Sequence, residues 1–304
     1  MSKQAAKRIM MMRPKHFGFD PATASSNSFQ SREGAEERSR IENSAQLEFD
    51  NAVLKLKSEG IDIVALEDSD LPEKPNAVFP NNWVSFHEEG LVLLYPMLTE
   101  SRRLERRHEV LDELEAAGVE ISRIIDISTY EEEEKFLEST GSVVLDYRNK
   151  LAYACLSART HIEVLEKFCE IAGYEPVVFE SFDKVGGAIY HTNVIMCIAD
   201  QYAVICAESI PEDQRIEVLN TLKSTGHEVV AITMDQMYNF AGNMLEAMND
   251  KGQSVLIMSE SAIKSLTIDQ KEALSKYSKL TSVAIPTIEK YGGGSVRCMM
   301  CKLS

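Results

Sequence analysis

One supersecondary unit, strand–turn–strand–helix–strand, recurs along this chain and narrows its fold more than any other feature. The copies open at Asn82, Ser142, Asn193 and Asn243, which are 60, 51 and 50 positions apart. The first reads NWVSFHEEGLVLLYP (82–96), then a charged helical stretch (100–117) and VEISRIIDI (119–127). The second is SVVLDYRNKLAYACLS (142–157), a helix over 160–172 and EPVVFES (175–181). The third is NVIMCIADQYAVICAES (193–209), a helix over 211–224 and HEVVAIT (227–233). The fourth is NMLEAMNDKGQSVLIMSE (243–260), a helix over 267–277 and TSVAIP (281–286). Each opening pair of strands is joined by a short polar turn such as Asp146-Tyr-Arg-Asn-Lys150, as a hairpin requires.

What remains completes a fifth unit from both ends. A strand over 295–303 is expected to pair with one at 8–13, with a helix at 44–60 and a strand at 61–67 supplying the rest. Closing a ring through the two termini leaves no free sheet edge. A doubly wound sheet would need strict strand–helix alternation, which the hairpins contradict. The expected class is therefore α/β: a five-bladed pseudo-symmetric α/β propeller of ββαβ repeats, closed by the N- and C-terminal strands. It would occupy 1–304 as a single domain, with blades near 79–128, 138–181, 190–233, 241–286, and 287–304 together with 5–68. An irregular α+β domain is the alternative.

In such a ring the anchors would start the innermost strand of each blade and face the axis. They read Asn81-Asn82, Gly141-Ser142, Thr192-Asn193 and Gly242-Asn243, with Arg297-Cys298 in the fifth. Polar residues there, where a filled channel would use apolar ones, point to a polar pocket on the axis.

Composition excludes several classes. A net charge of −16 disfavours nucleic acid and anionic membrane as partners. No apolar run approaches the roughly 20 residues of a membrane span, and the N-terminus lacks the pattern of a secretory signal. The six cysteines show no disulfide framework, so a reducing cytoplasm is expected. No phosphate loop, dinucleotide fingerprint or metal cluster is present, so neither a cofactor nor a metal is expected. Asp183-Lys-Val-Gly-Gly187 has glycines without the required spacing and reads as a turn. The acidic run at 131–134 reads as solvated surface.

Near the C-terminus stands Gly292-Gly-Gly-Ser-Val-Arg-Cys298-Met. A cysteine behind three glycines suits a close backbone approach and a presented thiol, hence a nucleophile; a buried structural cysteine is the competing reading. Cys298 and Cys301 have redox-pair spacing, but residues three apart in a strand point to opposite faces. Of six histidines, His191 opens the third blade beside an anchor. His16, His87, His108, His161 and His227 read as loop or capping residues. Glu138 is the carboxylate just before the second anchor and would tune that imidazole.

This constellation, with Met11-Met-Arg-Pro14 and Phe79-Pro-Asn-Asn-Trp-Val-Ser85, closely resembles the guanidine-modifying (pentein) superfamily of arginine deiminases, amidinotransferases and dimethylarginine hydrolases. The branch it looks like is the citrulline utilization hydrolases. The resemblance covers the whole chain and implies Cys298 as nucleophile, His191 as general acid/base and Glu138 as its acidic partner. Deiminases carry an aspartate in the first-blade motif and another two residues after the histidine, which grip a cationic guanidinium. Here those positions are Asn81 or Asn82, and Asn193. Amides offer donors and acceptors to a neutral ureido group, so citrulline is favoured over arginine.

The expected substrate-binding set is Asn81, Asn82, Asn193, Asn243 and Arg297, with Arg13 and Arg159 as further candidates for a carboxylate. The expected partner is a small ureido or guanidino amino acid, and a homodimer is left open. Segment 22–40 reads equally as a lid or a surface loop. Arginine deiminase-type activity, an amidinotransferase and a non-enzymatic ligand-binding propeller are the alternative functions.

Overall fold

The methionine-rich run RIMMMR is buried at its four central positions, and it forms strand β1 (Arg8–Arg13). β1 pairs in parallel with β2 (Asp62–Glu67), with Met10 opposite Val64. The crossover is a helix, Arg38–Ser58, whose buried residues Ile41, Ala45, Phe49, Ala52, Val53 and Leu56 recur every three or four positions. This computed structural model describes residues 4–304, so the first three residues of the expected domain lie outside the described ones.

The same unit then recurs four times. β3 (Val84–Phe86) runs antiparallel to β4 (Leu91–Leu94), which is parallel to β5 (Arg123–Asp126). β6 (Val144–Asp146), β7 (Leu151–Cys155) and β8 (Glu175–Phe179) repeat the arrangement. So do β9 (Met196–Ile198), β10 (Tyr202–Ile205) and β11 (Glu228–Ala231). β12 (Leu245–Met248), β13 (Ser254–Ser259) and β14 (Lys279–Val283) form the next sheet. Finally β15 (Cys301–Leu303) pairs antiparallel with β1, Met10 opposite Cys301, and closes the ring.

The result is five three-stranded sheets, a five-bladed α/β propeller. Each middle strand takes an antiparallel neighbour toward the axis and a parallel one outward. The middle strands are apolar runs, as strands covered on both faces must be. Helices cover the outside, and four apolar clusters fill the spaces between blades and helices. The inner strands β15 and β3, β6 and β9, and β9 and β12 lie against one another around the axis.

Several local expectations are corrected. The strand over 295–303 shrinks to Cys301–Leu303. Before it, Cys298, Met299 and Met300 donate from their backbone N–H to Ser295, Val296 and Arg297, so Cys298 sits in a tight turn. The anchors do not begin strands either. Pro80–Asn82, Ser139–Ser142 and Thr192–Ile195 are single helical turns, and Gly242 and Asn243 lie in a turn before β12. The strands alternate their side chains between the two sheet faces, whereas a helical turn at the strand entrance points side chains toward the axis. The helix expected over 100–117 is broken into Glu100–Arg103 and His108–Ala116. The helix expected at 44–60 begins six residues earlier, at Arg38.

Candidate active site

The inward turns of the first, second and third repeats and the turn before β15 meet at one end of the axis. There Cys298, His191, Asn82, Arg102, Arg159 and Tyr190 share the wall of one small cavity with Asn27, Asn76, Phe79, Thr23 and Gly292 to Gly294. About 10 Å³ of free space remains, the room of roughly one water molecule.

His191 and Glu138 are paired. His191 Nε2 lies 2.8 Å from Glu138 Oε2, with both side chains buried. Burial works against the Glu138 charge. Arg159 at 3.3 Å, the His191 bond and Arg102 at 4.0 Å overcome it and hold the carboxyl well below its usual range. Burial likewise disfavours charge on His191 and prevails over the Glu138 bond, because Arg159 and Arg102 also repel a proton there. Its value falls to about 4. The pair is thus a carboxylate and a neutral imidazole that donates Nε2–H to it, leaving Nδ1 as a base.

Close approach is built into the backbone. A Cβ on Gly141 would stand 2.8 Å from His191 Cε1 and Nδ1, so only glycine lets the second repeat's turn lie against that ring.

The Cys298 sulfur accepts from two amides, Asn193 Nδ2 at 3.5 Å and Asn243 Nδ2 at 3.3 Å. Asn193 Oδ1 is buried without a partner, and Asn193 stands behind Cys298 outside the cavity wall. Asn243 also donates to Asn193 O and accepts from the Arg297 N–H. Both ends of its amide are committed to the cysteine turn, and it does not line the cavity.

Asn82 reaches the cavity, and its Oδ1 accepts from Arg102 Nη1 at 2.6 Å. Asn81 lies behind it, accepting from Asn82 Nδ2, with its own Nδ2 unpartnered. Arg297 is absent from the cavity wall. Its guanidinium donates to Met300 O and lies near enough to Tyr147 and Lys302 to act on their charge, away from the cavity. Arg13 is occupied by Asp50 on the outside of the ring.

Arg159 lines the cavity and is 2 % exposed. It donates to Glu138, to Ser26 Oγ at 2.8 Å and to Thr23 O at 3.2 Å. Arg102, not singled out by the sequence, is bound bidentately by Glu105 at 2.8 Å. It is hidden in a run of charged helical residues, ESRRLERRHE, whose period marks no inward arginine. Thr23, Asn27 and Gln30 bring segment 22–40 over the cavity, and Asn27 and Gln30 donate to Gly292 O.

The remaining histidines divide. His161 caps the helix Ile162–Ala172, as expected. His87 and His227 are buried, contrary to the loop reading, because the hairpin and strand ends that carry them are covered by neighbouring blades. The six cysteines are free thiols. Among the described residues no cluster fit for a metal ion occurs and no helix is long and apolar enough to cross a membrane.

A five-bladed ring with a cysteine and a histidine–glutamate pair at one end of its axis defines the pentein class of guanidino-modifying enzymes. The chain belongs to the N,N-dimethylarginine dimethylhydrolase family, eukaryotic, whose model matches residues 13–304. Comparison with curated protein sequences gives no significant match.

Solved structures share the fold. The N-terminal domain of ArgZ, an arginine dihydrolase from the ornithine–ammonia cycle in cyanobacteria, solved bound to substrate, superposes with a TM-score of 0.75 at 14% identity. That match covers 98% of each chain. DDAH from Pseudomonas aeruginosa complexed with citrulline gives 0.67 at 16% identity, covering 98% of this chain and all of that one. Unliganded AgrE gives 0.74 at 15%, and this chain spans 39% of its length.

Proposed function

We propose that the protein hydrolyses citrulline to ornithine, carbon dioxide and ammonia through a covalent intermediate on Cys298. The observation that carries this reading is the charge of the cavity wall: two buried guanidinium groups, Arg102 and Arg159, and no carboxylate. A third guanidinium entering that wall would find Glu105 and Glu138 already paired with the two arginines and would be a buried charge without a further countercharge, at a cost of several kcal/mol. A neutral ureido head meets no such cost. The unpartnered Asn193 Oδ1, beside the Cys298 sulfur though outside the present cavity wall, suits its terminal NH2. Arginine is the second reading, because ArgZ is solved as an arginine dihydrolase.

In the proposed reaction His191 Nδ1 takes the Cys298 proton, and the sulfur attacks the ureido carbon. The two amide donors already facing the sulfur stabilise its negative charge. His191 then gives the proton to the departing amine. The C–N bond breaks, ornithine leaves, and an S-carbamoyl cysteine remains. Water, deprotonated by His191, displaces the thiolate. Carbamate is released and decays to carbon dioxide and ammonia, so one citrulline consumes one water. Glu138 keeps the imidazole in the tautomer these steps need. The cavity is too small for an amino acid as it stands, so segment 22–40 must move to admit substrate.

Rapid acid quenching during turnover of citrulline, followed by peptide mass analysis, tests the intermediate. A carbamoyl group on the peptide containing Cys298 is expected. An unmodified peptide throughout steady-state turnover would refute covalent catalysis.

A further inference from the structure

We propose that Tyr190 is a positioning residue: its phenol fastens the glycine turn that carries Cys298 to the helical turn that His191 opens. The inference rests on the proposed use of Cys298 and His191 as nucleophile and base, but not on the identity of the substrate.

Tyr190 precedes His191 in the chain, and the two rings lie 4.7 Å apart between centroids. Its Oη donates to Gly293 O at 2.5 Å, five residues before Cys298. The phenol is buried and its acidity is suppressed chiefly by that burial, so it remains a donor at any physiological pH. Arg159 stacks on the same ring, its Cζ 5.1 Å from the centroid, and Phe29 meets it edge-on at 5.9 Å. One side chain therefore touches the base, the nucleophile's turn, a cavity arginine and segment 22–40.

The Gly293 carbonyl is shared. Asn27 Nδ2 approaches it from segment 22–40 at 3.4 Å. Gly293 itself has φ +63°, and a Cβ there would stand 2.7 Å from Asn27 Nδ2 and Gln30 Cγ. The turn is gripped both by a segment that must move to admit substrate and by a residue fixed in the third repeat. When the segment departs, the phenol is the donor left to hold the turn. The tie adds to the Asn193 and Asn243 bonds in keeping a thiol and an imidazole on separate blades at one separation, and small misplacements of reacting groups are costly.

The test is Tyr190→Phe, which keeps the ring and removes the hydroxyl. Turnover at saturating substrate is expected to fall about tenfold, with KM changed less than about threefold, the loss of one buried hydrogen bond expressed at the reacting atoms. Alkylation of Cys298 by iodoacetamide, which needs no substrate, is expected to speed up severalfold as the turn loosens. In a double-mutant cycle with Asn27→Ala, the second substitution is expected to lower turnover further than it does alone, because the carbonyl then has neither donor. If Tyr190→Phe unfolds the protein, Asn27→Ala alone, where the phenol still holds the carbonyl, must leave alkylation near the wild-type rate, and a severalfold rise would overturn the proposal. Unchanged turnover and alkylation in Tyr190→Phe would reduce the phenol to packing and overturn the proposal. Should alkylation change while citrulline is not consumed, the tie stands and the substrate reading fails.

Discussion

His191 Nε2 and Glu138 Oε2 are 2.8 Å apart, and both side chains are buried. Two arginines hold the carboxylate ionised and discourage charge on the imidazole. Replacing Glu138 with Gln exchanges an acceptor-only carboxylate for an amide that can present either oxygen or NH2 to the imidazole, so the tautomer is no longer fixed, and leaves Arg159 and Arg102 short of a countercharge. We expect kcat to fall about 10²- to 10⁴-fold and stability to drop by about 3–5 kcal/mol. Steady-state kinetics and denaturant unfolding check both; an active, equally stable variant would remove Glu138 from the account.

The selectivity argument turns on Asn193, whose Oδ1 lacks a partner beside Cys298. Asn193→Asp supplies a countercharge for a guanidinium and withdraws a donor from the sulfur. The expected result is a lower kcat with citrulline and a ratio of kcat/KM, arginine over citrulline, raised about tenfold or more. A ratio that stays put would mean that this position does not read the head group.

A pH effect on stability arises away from the site. Burial pushes His87 down to about 4 from 6.5, with Lys150 and Lys302 adding to it, while its Nε2 engages Ser85 Oγ. The folded state binds this proton more weakly than the unfolded one. The corresponding stability is whole above pH 6.5 and is lost as pH falls toward 4. Relative to His87→Gln, the wild type should lose about 3 kcal/mol between those limits. Urea unfolding of both proteins at pH 7.5 and 4.5 measures the difference, and parallel losses would contradict it.

Much of this was legible in the residues. The hairpin–helix–strand repeat and its anchors specify a closed ring, since each repeat alone exposes an apolar face. The glycine–cysteine segment, His191 and Glu138 stood out because such residues rarely begin apolar strands. The turn at 295–300 was not legible: Val296, Cys298 and Met300 alternate plausibly as a strand, and only the backbone bonds of the folded turn bend them inward. Arg102 was hidden among like charges, because its inward face depends on Glu105 and Asn82 from the folded ring. Arg297 seemed to belong with its neighbour Cys298, yet in a tight turn adjacent residues point apart.

The most direct test of the central claim is product analysis after separate incubation with citrulline and arginine, alongside Cys298→Ala. The account predicts ornithine, ammonia and carbon dioxide in equal amounts from citrulline, and none from the variant. Citrulline or ornithine formed from arginine, with citrulline itself left intact as a substrate, would contradict it.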